Sequence, residues 1–158
     1  MSSPPLHVAL IHPEIGPNTG NIGRLCLGIG ARLHLIHPLG FSTSDKAVRR
    51  AGLDYWKHVD CVEHADLETF LSWLTADPQR RFHLLSTKGT TPYTTAAYTR
   101  GDVLLFGAES KGLPADLIAA HGALRIPMPG PVRSLNLANA AAIITMTALQ
   151  QISPELFT

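Results

Sequence analysis

Leu105-Phe106-Gly107-Ala108-Glu109-Ser110-Lys111-Gly112-Leu113-Pro114 follows without a break on residues 102–106, the most strand-like run in the chain. An apolar run, then a turn bounded by two glycines, then a proline suited to the first turn of a helix reads as strand, loop, helix. In parallel α/β sheets the carboxyl ends of the strands form the ligand crevice, so this loop sits where a binding site is expected. Gly107 and Gly112 permit positive φ or close backbone approach. Glu109 between them stands at the mouth of that crevice, and a plain glycine turn does not account for it.

Working outward, apolar strand-like runs alternate with segments of helical periodicity throughout, which predicts an α/β domain with a mostly parallel sheet flanked by helices. Strands are expected at residues 6–12, 32–37, 55–63, 81–86, 102–106 and 124–127. Helices are expected at 21–30, at 44–50 with Ser44 as cap, at 67–75 capped by Asp66, from Pro114 to Gly122, and at 135–152. Residues 13–20 read as a turn-rich connection and 88–100 as an irregular loop. Residues 1–158 are read as one domain, with 1–5 frayed, and no internal repeat or linker is visible.

Of the 158 residues 45% are hydrophobic and 16% charged, with a formal net charge of +1. That balance describes a compact protein with few charges, or one that hides some surface in an oligomer. Every hydrophobic run is interrupted well short of a membrane span, and the first five residues lack the pattern of a signal peptide. Cys26 and Cys61 stand apart within apolar stretches, as buried thiols of a cytoplasmic protein do. With so little net charge, affinity for nucleic acid would need local patches. Candidates are Lys46 with Arg49 and Arg50, Arg80 with Arg81, and Arg100, Lys111 and Arg133, each of which by itself also reads as a solvated face.

The common α/β cofactor motifs are missing. Gly28-Ile-Gly30 lacks the third glycine of a dinucleotide fingerprint and lies within a helix. There is no phosphate-binding loop of the Walker type and no nucleophile elbow. Eight histidines invite a metal site, but none pairs at i, i+4 beside a carboxylate, and His34 and His37 are expected on opposite faces of a strand. No metal is expected.

Two further segments carry chemistry. Pro17-Asn18-Thr19-Gly20-Asn21-Ile22-Gly23-Arg24 stands where the first strand becomes a helix. Asn and Thr there would cap free amides, and Arg24 is read into the first turn, where the helix dipole disfavours a cation unless an anion is near. The other is Arg125-Ile126-Pro127-Met128-Pro129-Gly130 followed by Arg133-Ser134-Leu135-Asn136-Leu137-Ala138-Asn139-Ala140. It predicts a rigid entry into an almost wholly apolar helix, with Ser134 as its cap. Asn136 and Asn139 are poor helix formers left unexplained.

These three segments, in this order, resemble the signature motifs of SPOUT-class RNA 2′-O-methyltransferases. The length and the Asp54-Tyr55 and Thr87-Lys88-Gly89 neighbourhoods are similar to the tRNA (cytidine(34)-2′-O)-methyltransferase family, a likeness running over residues 6–152. It implies an α/β fold with a deep C-terminal trefoil knot, against the usual rule that loops are not threaded. It implies S-adenosylmethionine bound at the knot, with Leu85, Gly107, Ile126, Ser134 and Leu135 as contacts. Transfer to a ribose 2′-hydroxyl of the wobble nucleotide in the tRNA anticodon stem-loop is the implied reaction.

By the same resemblance Arg24 is the catalytic arginine, with Glu109, Ser134 and Asn136 ordering the site and Asn18 and Arg133 contacting substrate; Asn18 alternatively serves a dimer contact. Neutralising an arginine at pH 7 costs about 7 kcal/mol, so Arg24 is expected to hold phosphate and ribose rather than to act as a free base. A helix at 135–152 that is apolar nearly all round needs cover on all sides, which agrees with the homodimer the family forms across this helix and the one bearing Arg24. The chain departs from its relatives at Met146, where they often carry a tyrosine that can hydrogen-bond. A ribosomal RNA 2′-O-methyltransferase and a non-catalytic RNA-binding module on the same fold are the rival readings. The first usually carries an additional N-terminal RNA-binding domain, and the second would not need Arg24, Glu109 and Asn136 together.

Overall fold

The computed structural model describes residues 3–44 and 55–158. The expected helix at 44–50 and the cluster Lys46, Arg49 and Arg50 lie outside the described residues, Ser44 excepted. Seven strands form a sheet in the order β3-β2-β1-β6-β4-β7-β5. They are β1 His7–Ile11, β2 Arg32–Ile36, β3 Cys61–His64, β4 Phe82–Leu85, β5 Thr91–Pro92, β6 Val103–Phe106 and β7 Leu124–Arg125. Every pairing is parallel. Such a sheet must be covered on both faces, and the β1 pattern shows how. Val8 and Leu10 point into a core built with Ile22 and Cys26 of helix α1 (Gly16–Ile29) and Ala141, Ile144 and Ala148 of helix α4 (Leu137–Ile152). Ala9 and Ile11 point the other way, towards Phe70 and Leu74 of α2 (Leu67–Ala76) and Leu117 of α3 (Ala115–His121).

Several expectations hold locally. Asp66 caps α2 by accepting from the Thr69 amide at 2.7 Å, and Gly30 closes α1 in the left-handed conformation at φ 75°. Others need correction. Helix α1 begins at Gly16, five residues earlier than the turn-rich composition suggested, because Pro17 fits the first turn of a helix and replaces an amide that has no partner there. Asn18 and Thr19 are therefore inside the helix, not capping it. Arg24 falls in its third turn, too far from the helix start for the dipole to call for an anion beside it. Residues 56–58 form a single 3-10 turn rather than the start of a strand. The loop at 88–100 contains the short β5 and a 3-10 turn at Tyr93–Thr95. Helix α4 starts at Leu137 and its cap is Asn136, not Ser134.

Both members of the Arg80–Arg81 pair have structural partners. The Arg80 guanidinium lies 4.0 Å from the Trp73 ring centre, and Arg81 Nε is 3.4 Å from Asp102. Both cysteines are free thiols, Cys26 buried and Cys61 half-buried, each pushed by burial up to about 12. The α2 face of the sheet also holds a file of imidazoles. His7 Nδ1 meets His34 Nε2 at 2.9 Å, and His34 Nδ1 meets His64 Nε2 at 2.9 Å, all beneath Trp73. No helix among the described residues is long and apolar enough to cross a membrane.

Candidate active site

The site is built by the loops that leave the carboxyl ends of β4, β6 and β7. Its floor is apolar because Leu85 and Phe106, the buried last residues of β4 and β6, line it together with Leu124, the first residue of β7. Above them the β6–α3 loop folds back sharply. The Ala108 carbonyl accepts from the Gly112 amide at 2.8 Å, and Gly112 has φ 67°. A Cβ on Gly107 would lie 2.1 Å from the Gly112 carbonyl carbon. Only glycine fits at 107, by the close backbone approach that the sequence allowed for, while Gly112 is the one of the two that uses positive φ. The stretch between β7 and α4 closes the far wall with Ile126, Met128, Arg133, Ser134 and Leu135. The resulting cavity has a volume of about 530 Å³, within the usual size range of small-molecule sites.

Of the residues nominated from sequence, Leu85, Gly107, Ile126, Ser134, Leu135, Glu109, Asn136, Asn18 and Arg133 all line this one cavity. Arg24 does not line it; it is exposed on another face of α1.

A single hydrogen-bond chain ties the three motifs together. The Asn136 amide donates from Nδ2 to Asn18 Oδ1 at 3.0 Å. Asn18 Nδ2 in turn donates to Glu109 Oε2 at 3.2 Å. Glu109 then accepts the backbone amides of Glu14 on Oε1 and Ile15 on Oε2, both at 2.8 Å. Helix α1 has no side-chain cap of its own. A carboxylate some ninety residues downstream in sequence thus does the work of one, favoured there by the positive end of the helix. Glu14 returns the contact, its Oε1 accepting from the Ser110 amide at 3.1 Å and the Ser110 hydroxyl at 2.6 Å. Those bonds hold the Glu14 carboxyl below its ordinary range. Asn136 also caps α4, accepting from Ala138 N at 2.8 Å. Glu109 and Asn136 are thereby committed to holding loops and helix ends in place, and Asn18 is the buried hinge between them.

Sequence reasoning passed over Glu14 and Ile15, which stand directly before the first motif. It used Lys88 only as part of a likeness, although Lys88, Lys111 and Arg133 all stand at the cavity. Three cations around one cavity are a signal of phosphate chemistry that becomes visible only after folding. Among the described residues no group of three or more His, Cys, Asp or Glu is arranged to hold a metal ion.

Residues 5–146 match the model of the SpoU rRNA Methylase family. The chain belongs to that family. It is 45% identical over 152 residues to a tRNA (cytidine(34)-2′-O)-methyltransferase of Yersinia pestis, covering 93% of this chain and 94% of that one. It is 48% identical over 151 residues to a protein of Bacillus subtilis described as a putative enzyme of the same kind, covering 92% of each. Among solved structures, one concerned with 2-OH methylation of C/U34 on tRNA superposes with a TM-score of 0.87 at 46% identity, over 92% of this chain and 95% of the other. An AdoMet-bound rRNA methyltransferase from Sinorhizobium meliloti superposes with a TM-score of 0.81 at 30% identity. That alignment spans 92% of this chain but 56% of the other.

Proposed function

We propose that this SpoU-family methyltransferase transfers a methyl group from S-adenosylmethionine to the ribose 2′-hydroxyl of nucleotide 34, cytidine or uridine, in the tRNA anticodon loop. The observation that carries the proposal is the cavity itself. Five nominated cofactor contacts line one pocket with an apolar floor and glycine-backed walls, in a chain about 45% identical to such enzymes over nearly its whole length. The residues fit the cofactor. Adenine wants an apolar slot with backbone polar groups at its edge, and Leu85, Ile126 and Leu135 with the loop behind Gly107 provide these. When bound, the sulfonium supplies an electrophilic methyl with a neutral leaving group, so the protein's task is to position the nucleophile and manage its proton.

In this reading Glu109, Asn18 and Asn136 hold the walls at the right separation and Ser134 completes the polar edge. Arg133, with Lys88 and Lys111, meets the RNA backbone around the mouth. Arg24 grips the phosphate and ribose of the target nucleotide with its planar fork, leaving that phosphate placed to take the hydroxyl proton. Because Arg24 is remote from its own chain's cavity, it serves the cavity of a second copy. Leu27, Ile143 and Met146 on α1 and α4 are 37%, 36% and 39% exposed, an apolar face that the homodimer would cover. Gly89, whose Cβ would come within 2.6 Å of the Leu124 backbone, supports a tight crossing of loops of the kind a trefoil knot needs. The protein would act in the cytoplasm, where tRNA is processed.

The test is titration calorimetry with S-adenosylmethionine, followed by mass spectrometry of nucleosides from tRNA incubated with enzyme and cofactor. Binding heat and a 2′-O-methylated wobble nucleotide are expected. No heat and no product would favour the binding-module reading, and methylation confined to ribosomal RNA would move the substrate there.

A further inference from the structure

Arg24 does not stand alone on α1. The Tyr55 hydroxyl donates to the Gly20 carbonyl at 3.0 Å, the same carbonyl that, in an α-helix, accepts the amide of residue 24. The Tyr55 ring lies under the Arg24 guanidinium, 5.9 Å from centroid to Cζ. Next to it Trp56 rests on the bare backbone of Gly23, where an added Cβ would be 2.4 Å from the indole. Two aromatic side chains from one short segment thus grip the single helical turn that carries the arginine. One does so through a hydrogen bond to its backbone and the other through a glycine that leaves room for the ring. No described carboxylate pairs with Arg24. Burial raises the Tyr55 phenol above its ordinary range while the neighbouring guanidinium draws it down, so the ring stays a neutral donor.

We propose that Tyr55, seated by Trp56 on Gly23, is a positioning residue that presents the Arg24 guanidinium to the RNA phosphate before substrate arrives. The inference rests on the role given to Arg24 above. An arginine side chain has many rotamers, and a ring face beneath its head group selects among them through cation–π attraction. Without the ring, the productive orientation must be found anew in each encounter, which lowers turnover and leaves cofactor binding alone, since Tyr55 does not line the cavity.

Single-turnover methyl transfer is to be measured in the full-length protein for Tyr55→Phe, Tyr55→Leu, Gly23→Ala, Arg24→Ala and the pair Arg24→Ala with Tyr55→Leu. Tyr55→Leu should slow transfer by about 2–5-fold, the range an exposed cation–π contact supports, with unchanged S-adenosylmethionine affinity. Tyr55→Phe, which keeps the ring, should recover most of the rate. Gly23→Ala, whose Cβ must displace Trp56, should slow transfer at least as much as Tyr55→Leu, and overpacking there should also lower the melting temperature, so Tyr55→Leu carries the test. In the Arg24→Ala background Tyr55→Leu should cost nothing further. The Arg24 Nε–Hε resonance should carry a ring-current shift that Tyr55→Leu removes, a readout that survives if Arg24→Ala is too slow to measure. An unshifted resonance, or the same rate loss with and without Arg24, would overturn the inference. Full turnover in Arg24→Ala would instead overturn the role of Arg24, whatever Tyr55 does.

Discussion

Replacing Glu109 with alanine removes the acceptor for three donors at once, the Glu14 and Ile15 amides and Asn18 Nδ2. A hydrogen bond to a charged group contributes about 1.5–3 kcal/mol, and a carboxylate at a helix N-terminus about 0.3–1 kcal/mol more. The Ile15 amide can recover water, because its contact is solvent-exposed, whereas the Glu14 contact is half-buried, so the full sum is an overestimate. The half-buried Asn18 contact is less easily replaced. A net loss of about 2–4 kcal/mol is expected, read as a lowered urea midpoint with unchanged slope. Glu109→Gln should lose about half as much, because its carboxamide keeps one acceptor while turning an NH₂ towards a backbone amide. The same variants should weaken S-adenosylmethionine binding in calorimetry, since the loop that carries Gly107 loses its tie to α1. If Glu109→Ala kept the parent's midpoint and affinity, the account of Glu109 as a remote helix cap would be wrong. If stability and affinity stayed while methyl transfer vanished, a direct chemical role would have to replace it.

Gly107→Ala should abolish cofactor binding or folding, because its Cβ would sit 2.1 Å from backbone that cannot rotate away; normal calorimetric affinity would contradict the packing. Asn136→Asp should keep the α4 cap and melt within about 1 kcal/mol of the parent, yet lose methyl transfer, because an aspartate cannot donate to Asn18 Oδ1. Arg24→Lys should lose most of its turnover, since an ammonium cannot reproduce the fork on phosphate and ribose, and a variant with near-parental kcat would count against that geometry. Stability should also fall as the pH drops below about 6.5. Burial is the first cause lowering His7 to about 4 and His34 to about 3, with His64 lowered too, so across pH 6.5–5 the unfolded chain binds protons that the folded chain does not. Each imidazole contributes a slope of up to about 1.4 kcal/mol per pH unit in that window. A urea midpoint flat from pH 7 to 5 would show that the imidazole file protonates freely in the native state.

The parts of the fold that sequence exposed are those in which one segment decides its own shape. The β6 run, the Asp66 cap and the Gly30 stop each depend on residues within a few positions of one another, and each stands where expected. The start of α1 was misplaced for the opposite reason. Pro17, Asn18 and Gly20 carry turn propensities, but the segment is helical because Glu109, distant in sequence, supplies the missing cap and the buried Asn18 finds a partner on each side. Local preference loses to a tertiary contact, and no window of the sequence around residue 16 contains the group that wins. The exchange of roles between Ser134 and Asn136 has the same origin. Either could cap a helix, and Asn136 is selected because its carbonyl oxygen serves the helix while its NH₂ serves Asn18, a division of labour a serine hydroxyl at 134 does not make.

Two kinds of site residue that look alike in the sequence differ in what they bond to. Asn18, Glu109 and Asn136 are polar residues in unexpected places, and all three turn out to be bonded chiefly to one another and to backbone. Three of the oxygen lone-pair directions on Glu109 are already taken, so it has little capacity left to accept a substrate proton. Arg24, Lys88, Lys111 and Arg133, by contrast, are exposed, and the one described contact of Arg24 is a ring face rather than an anion. In a molecule of net charge +1, placing three such cations around the cavity and a fourth on an aromatic seat concentrates positive potential where a polyanion would have to approach. The buried network makes the pocket rigid and the unspent cations give it a preference for phosphate, and only the second of these would weaken steeply with added salt.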